Sequence, residues 1–300
     1  MQIRTDLALE IRESFEKDNV EIRGVEITER YKGSKRVKVT AVKIKNAIGA
    51  TLMNKPVGNY ITIEAPELQN KDEDYHSEVS EIIAQELEKL VPDTAKNGDV
   101  LVVGLGNREA TPDVLGPQVV DNLFVTRHLA KEYGKKMRSL SAIAPGVMGQ
   151  TGMESSEILK GLVKEIKPSL VIIVDALAAR STARLNKTVQ LTDTGISPGA
   201  GIGNNRQEIS KQSLGVDVIA LGVPTVVDAG TIVRDRMEEA LKKQGYKAEE
   251  IEAFLYHIEA DKIENMFVTP KNVDEAVKSM SYTISEAINK CFSSTVFLQN

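Results

Sequence analysis

Val100-Leu101-Val102-Val103, running into Gly104-Leu105-Gly106-Asn107 and on through Thr111-Pro112-Asp113 to Gly116, decides the fold together with Leu170-Val171-Ile172-Ile173-Val174, which Asp175 closes. Both are short apolar runs without polar alternation. Such a strand must be covered on two faces, which is the habit of parallel sheets. Ser139 to Ile143 and Val216 to Leu221 read as further strands of the same sheet. Helices fit between them. Pro117 suits a first helical position before Val119, Val120, Leu123 and Phe124, and Thr151 with Glu154 makes a capping box ahead of Ile158, Leu159, Leu162 and Ile166. Val273, Ala276, Val277, Met280, Ile284, Ala287 and Ile288 form a last amphipathic helix. Residues 99–300 therefore read as an α/β domain with helices on both faces of its sheet.

The texture upstream is different. From Val20 to Ala65 short alternating β-branched stretches (Val20 to Ile22, Arg36 to Thr40, Tyr60 to Ile63) are separated by Gly, Lys and Asn, which predicts a half-exposed β-rich region. Val79, Ile82, Ile83, Leu87 and Leu90 then fall at helical spacing, and Pro92 stops the pattern. Residues 7–98 are accordingly taken as a smaller N-terminal region.

At 300 residues the chain can bury a substantial core. Its net charge of −5, with a pI near 5.5, lacks the basic excess that carries non-specific nucleic-acid affinity, so no direct nucleic-acid ligand is expected. The longest apolar run, Leu170 to Val174, falls far short of the ~20 residues of a membrane span, and the first eighteen residues have no apolar core of a targeting peptide. A single cysteine, Cys291, excludes an internal disulfide and any multi-cysteine zinc site. A soluble, cytoplasmic chain is expected.

Ligand and catalytic groups of open α/β sheets gather beyond the carboxyl ends of the strands. Three loops qualify: Gly104 to Gly116, the tip at Asp175, and the glycine-rich stretch Ser197 to Arg206, which reads either as an anion cradle or as a surface loop. The first glycine pair lacks a third glycine and a downstream acid, so it is a weak dinucleotide signature. Asp228 reads as a helix cap paired with Thr225. His76 and His257 lie in charged surroundings, His128 lies in a helix-like segment, and no Gly-x-Ser-x-Gly elbow accompanies them. Carboxylates remain. Asp113 and Asp175 follow two strands of one sheet, and neighbouring strands are ~4.8 Å apart, so their side chains could converge. One acid of such a pair stays protonated while the other acts as base on a water, which suits peptide hydrolysis; Asp175 as a helix cap or loop anchor is the other reading.

Five motifs in unbroken order carry a resemblance: GLGNREATPDVLGP from Gly104, SAIAPGVMGQTGMESSE from Ser141, IVDALAARS from Ile173, DTGISPGAGIGNNR from Asp193 and LGVPTVVDA from Leu221. Together they resemble the spore germination proteases, endopeptidases of small acid-soluble spore proteins, and the likeness extends from Arg4 to Pro270. Val102 to Gly116 and Val174-Asp175-Ala176 are also similar to the hydrogenase maturation endopeptidases. The resemblance implies a three-layer, phosphorylase/hydrolase-like α/β sheet, with Asp113 and Asp175 as catalytic acids. It implies small acid-soluble spore proteins as substrates, a homotetramer, a spore-core location and synthesis as a zymogen. The maturation enzymes hold nickel with a histidine as third ligand, whereas the loop after Leu221 offers Gly222-Val223-Pro224-Thr225 and no histidine, so neither a metal nor a cofactor is expected. The stretch between Gly245 and Met266 looks shorter than in longer family members.

Thr5-Asp6-Leu7-Ala8 resembles the site such enzymes cut, an acid followed by an apolar residue and alanine. By that analogy residues 1–6 are a candidate propeptide, removed by self-cleavage between Asp6 and Leu7. Met1 to Arg4 is read as a short, loosely packed end; the other reading of the segment is the start of a first helix. Two rival functions stay open. Val103 to Asn107 and Thr126-Arg127-His128 mimic motifs of peptidyl-tRNA hydrolases, though Gly104 and Thr126 lie 22 residues apart here. A non-catalytic nucleotide- or anion-binding module would use the glycine-rich loops.

Overall fold

Alternate residues of the two deciding strands go to opposite cores. Val100, Val102, Leu170, Ile172 and Val174 join one, while Leu101, Val103, Val171 and Ile173 join the other. A computed structural model describes residues 5–16, 22–33, 36–68, 70–133, 138–203, 206–257 and 266–292. Its strands are β1 Val25–Lys32, β2 Val37–Ile44, β3 Gly58–Glu64, β4 Val100–Gly104, β5 Leu140–Ile143, β6 Leu170–Ala179, β7 Thr188–Thr192, β8 Asp217–Asp228 and β9 Phe267–Val268. Its helices are α1 Ala8–Glu16, α2 Ala47–Met53, α3 Glu73–Leu90, α4 Leu115–Asp121, α5 Arg127–Tyr133, α6 Met148–Thr151, α7 Ser155–Ile166, α8 Lys211–Leu214, α9 Ala229–Lys243, α10 Ala248–His257 and α11 Val273–Phe292.

All described strands lie in one mixed sheet of order β1-β2-β3-β7-β8-β6-β4-β5, with β9 added to β8. The strands β8, β6, β4 and β5 run parallel. The strands β1, β2, β3, β7 and β8 pair antiparallel, so the N-terminal strands continue the α/β sheet through the β3–β7 ladder. Residues of α3, α4 and α11 cover one face, and Leu159 of α7 with Leu214 of α8 covers the other. This is the three-layer α/β arrangement that the motifs imply.

Several local expectations are corrected. The strand expected at Val20 to Ile22 falls partly outside the described residues; the first described strand is β1, whose side chains alternate between partly buried and exposed. Thr151 does not cap α7. Gly152, at φ +72°, ends α6, and Glu154 becomes the cap residue, its N–H donating to Glu157 Oε2 at 3.0 Å. Pro117 is the third residue of α4 rather than the first, still within the turn where helical N–H groups have no intrahelical partner. Asp228 does cap α9, accepting from Thr231 N at 2.8 Å, but Thr225 is turned elsewhere: its Oγ1 donates to Pro112 O at 2.6 Å. His76 is engaged, with Nδ1 2.6 Å from Thr283 Oγ1 and Nε2 2.7 Å from Asn70 O, because it faces α11 across the α3 contact. His128 is exposed on α5, and Thr126 is buried against Arg138 O and Leu140 N.

Two strands outrun their sequence signal. The β6 strand continues past Asp175 to Ala179, and β8 reaches Asp228, because the two remain paired through a register shift at Leu177/Ala178. The β4 strand stops at Gly104, opposite Val174. Among the described residues no strand therefore pairs with β6 on its β4 side from Asp175 onward, and the candidate site lies there.

Candidate active site

The loop leaving β4 is folded by its glycines. Gly106 has φ +121°, and a Cβ there would stand 1.9 Å from the Asp113 carbonyl oxygen, so only glycine lets the two halves of the loop touch. Gly104 and Gly116 meet as closely, since a Cβ on Gly104 would stand 2.1 Å from Gly116 O. Thr111–Asp113 forms one turn of 3-10 helix, held to β8 by the Thr225 hydroxyl and to its own loop by Asn107 N–H, which donates to Asp113 Oδ2 at 2.8 Å. Asp113 is thereby aimed at the free flank of β6.

Asp175 stands on that flank, and its Oδ1 accepts from Ala176 N at 2.9 Å. Burial pushes its carboxyl well above the usual carboxylate range, and the charges of Asp113 and Asp6 push it further. Asp113 is also raised by burial, opposed by the Asn107 N–H. Among the described residues no basic side chain forms an ion pair with either acid. Both line one cavity of about 350 Å³, together with Leu105, Pro112, Arg206 and Asp6. The two carboxylates predicted from the sequence are thus neighbours, electrostatically coupled and facing a common space. Among the described residues no group of three or more His, Cys, Asp or Glu is placed to hold a metal ion.

The third acid comes from the N-terminal segment. Asp6 N–H donates to Ala178 O at 2.9 Å, and Asp6 Oδ2 accepts from Ala178 N at 2.9 Å, so the segment docks on the free flank of β6. Gly201 N–H also reaches the Asp6 carboxylate, and a Cβ on Gly201 would stand 2.2 Å from Oδ2. The glycine-rich loop therefore meets a carboxyl group of its own chain; Asn204 and Asn205 lie outside the described residues. Burial raises the Asp6 carboxyl, opposed by Lys55 and the two N–H groups. Leu7 and Ala8 are fully buried, and α1 begins at Ala8. The Asp6–Leu7 bond is consequently in packed structure, while residues 1–4 of the candidate propeptide lie outside the described ones.

Three side chains near this site were missed from the sequence. Thr225 carries only a capping signal in the sequence. Lys55 sits in the loop after α2 with no spacing to mark it. Gln190 did carry a signal, because Thr188, Gln190 and Thr192 alternate with Val189 and Leu191, which places a buried polar row on one face of β7.

Residues 3–261 match the sequence profile of a family described as germination protease. The chain is 45% identical over 306 residues to a germination protease of Caldanaerobacter subterraneus subsp. tengcongensis, covering 96% of this chain and 93% of that protein. It is 43% identical to one of Clostridium tetani, covering 96% and 95%. With the protein of the same description from Bacillus velezensis it shares 47% identity, over 81% of this chain and 68% of the relative. A crystal structure of a [NiFe] hydrogenase maturation protease from Thermococcus kodakarensis aligns with a TM-score of 0.34 at 15% identity, covering 68% of this chain and 99% of that one.

Proposed function

Since the chain belongs to the germination protease family, we propose that this peptidase is an aspartate-dependent endopeptidase whose water is activated by Asp113 and Asp175. The observation that carries the reading is the coupled pair, without an ion pair among the described residues, facing one cavity beside the docked N-terminal segment. Asp175, the more deeply buried acid and the one raised well above the usual carboxylate range, is the proton-bearing partner, and Asp113, whose rise is opposed by the Asn107 N–H, is the base. Asp113 takes a proton from water as the water oxygen bonds to the peptide carbonyl carbon. The C–N bond then breaks, the departing nitrogen receives the proton of Asp175, and the pair is left sharing one proton as before.

Small acid-soluble spore proteins are the proposed substrates, because an unfolded chain can enter a cleft closed to a folded domain. The test incubates the chain with such a protein and maps the cuts by mass spectrometry, alongside Asp113→Asn and Asp175→Asn variants whose folding is checked by circular dichroism. Cuts made by wild type and absent with both variants are expected; substantial cleavage by either well-folded variant removes that residue from the mechanism.

The same reading makes the chain a zymogen that cuts its own Asp6–Leu7 bond. N-terminal sequencing after mild acidification should find a new Leu7 terminus in wild type and an unchanged one in Asp175→Asn. A homotetramer in the spore core completes the proposal, and light scattering reads the assembly.

A further inference from the structure

The Asp6 carbonyl oxygen has an unusual pair of partners. Lys55 Nζ donates to it at 3.1 Å, and Gln190 Nε2 donates to it at the same 3.1 Å. These donors come from the loop after α2 and from β7, elements far apart in sequence, and both converge on a single peptide oxygen. The next peptides are held as well. Leu7 N–H donates to Thr5 Oγ1 at 3.0 Å, and Ala8 N–H donates to Gln190 Oε1 at 2.8 Å, so one Gln190 amide grips the chain on both sides of Leu7.

Sheet register ties this grip to the aspartates. Gln190 pairs with Gly222 on β8, and Gly222 pairs with Asp175 on β6. Directly paired residues of a sheet share a face, so Gln190 and Asp175 point the same way, two strand spacings or about 10 Å apart. Gly222 between them has no side chain, and Leu177 leans over it: a Cβ there would stand 2.5 Å from Leu177 Cγ. Leu7 belongs to the same buried cluster as Leu177. The span between the grip and the acid is thus bridged by the docked segment itself. Asp6 lines both the cavity of the aspartate pair and a larger one of about 960 Å³, to which Lys55 and Gln190 belong.

We propose that Lys55 and Gln190 form a carbonyl-holding pair for peptide hydrolysis at this site, and that Thr5–Ala8 is the peptide they hold in this structure. A carbonyl oxygen gains negative charge as water adds to its carbon, and two side-chain donors already aimed at it stabilise that charge without reorganising. Burial holds the Lys55 ammonium below the usual lysine range and the Asp6 carboxylate opposes that shift; as negative charge builds on the carbonyl oxygen the charged form is favoured, while the Gln190 amide sets the register. When the segment leaves, the same two donors receive the carbonyl of an incoming extended chain. The inference rests on the endopeptidase reading above and adds the electrophilic half of the site.

The test uses the full chain with Lys55→Met, Lys55→Arg, Gln190→Leu and Asp113→Asn. Two readouts are followed: the first-order appearance of the Leu7 terminus, and steady-state cleavage of a synthetic peptide copying residues 3–10. Lys55→Met should lower kcat about 10²-fold with KM changed by less than about threefold, since its charge matters most as the oxyanion develops; Gln190→Leu should lower kcat similarly and also raise KM, because it loses the ground-state grip on Ala8 N–H as well. Lys55→Arg should recover most of the loss, because it restores the cation; a packing role alone would not separate Met from Arg in kcat. Wild-type cleavage that Asp113→Asn abolishes but Lys55→Met and Gln190→Leu leave within about threefold overturns the carbonyl-holding pair and spares the aspartates. A wild type inert toward its own terminus, the peptide and spore proteins overturns the endopeptidase reading and this inference with it.

Discussion

Glu10 and Asp175 are both buried carboxylates beside β6, 4% and 6% exposed, yet the fold surrounds them differently. Glu10 accepts from Arg180 N at 2.7 Å, Ser181 N at 2.9 Å and Thr5 Oγ1 at 2.5 Å, with Arg184 Nε 3.5 Å away. Asp175 has the neighbouring Ala176 N–H, no ion pair among the described residues, and two other acids near it. The first is a tether: burial raises its carboxyl too, but two N–H groups, the Thr5 hydroxyl and Arg184 oppose that rise and fix α1 to the end of β6. The second is left short of donors beside a cavity. Burial and the neighbouring acids favour the protonated form of a carboxyl in that condition, at a cost to the ionised fold.

The contrast breaks most visibly in activity. Asp113→Asn and Asp175→Asn should each lower kcat by roughly 10³-fold or more, about 4 kcal/mol of barrier, with folding unchanged by circular dichroism. Glu10→Ala should do the reverse, lowering stability by about 3 kcal/mol in urea titration, because it strands two backbone N–H groups and part of the Arg184 pairing. An equal loss of activity from Glu10→Gln, with stability retained, would erase the distinction.

Gly106→Ala tests the loop that aims Asp113. The new Cβ would collide with the Asp113 carbonyl in a backbone region closed to alanine, so a loss of about 2 kcal/mol and at least tenfold in kcat are expected. The smallest effect has the opposite sign. Because the Asp175 carboxyl is raised in the fold, the native state keeps a proton that the unfolded chain releases, and stability falls as pH climbs above the ordinary aspartate range near ~4. Asp175→Asn removes that penalty. Its Tm should exceed wild type by roughly 3 °C at pH 8, the size about 1 kcal/mol produces in a large domain, and the gain should vanish as pH is lowered toward about 4. A gain that persists at pH 4 would assign it to packing instead of charge.

Much of the frame was legible in the chain. Unbroken apolar runs at Val100 to Val103 and Leu170 to Val174 can only be buried on both faces, and the helical spacing from Val79 to Leu90 and from Val273 to Ile288 supplies a covering layer. The acids were legible too, since Asp113 and Asp175 each follow such a run and β4 lies beside β6. Strand ends were less so. The β6 and β8 strands extend each other past their apolar stretches, and that mutual pairing leaves no mark in either segment alone.

Local sequence thus determined the α/β class, the glycines that fold the Asp113 loop, and the two candidate acids, because each depends on residues close together in the chain. Tertiary structure alone decided that Thr225 holds the Asp113 turn, that Asp6 lies on Ala178 and Gly201, and that Lys55 and Gln190 meet at one carbonyl. Those contacts join residues tens to nearly two hundred positions apart. They exist because β3 pairs with β7, β7 with β8 and β8 with β6, and a ladder's register is set by the whole sheet rather than by any one strand.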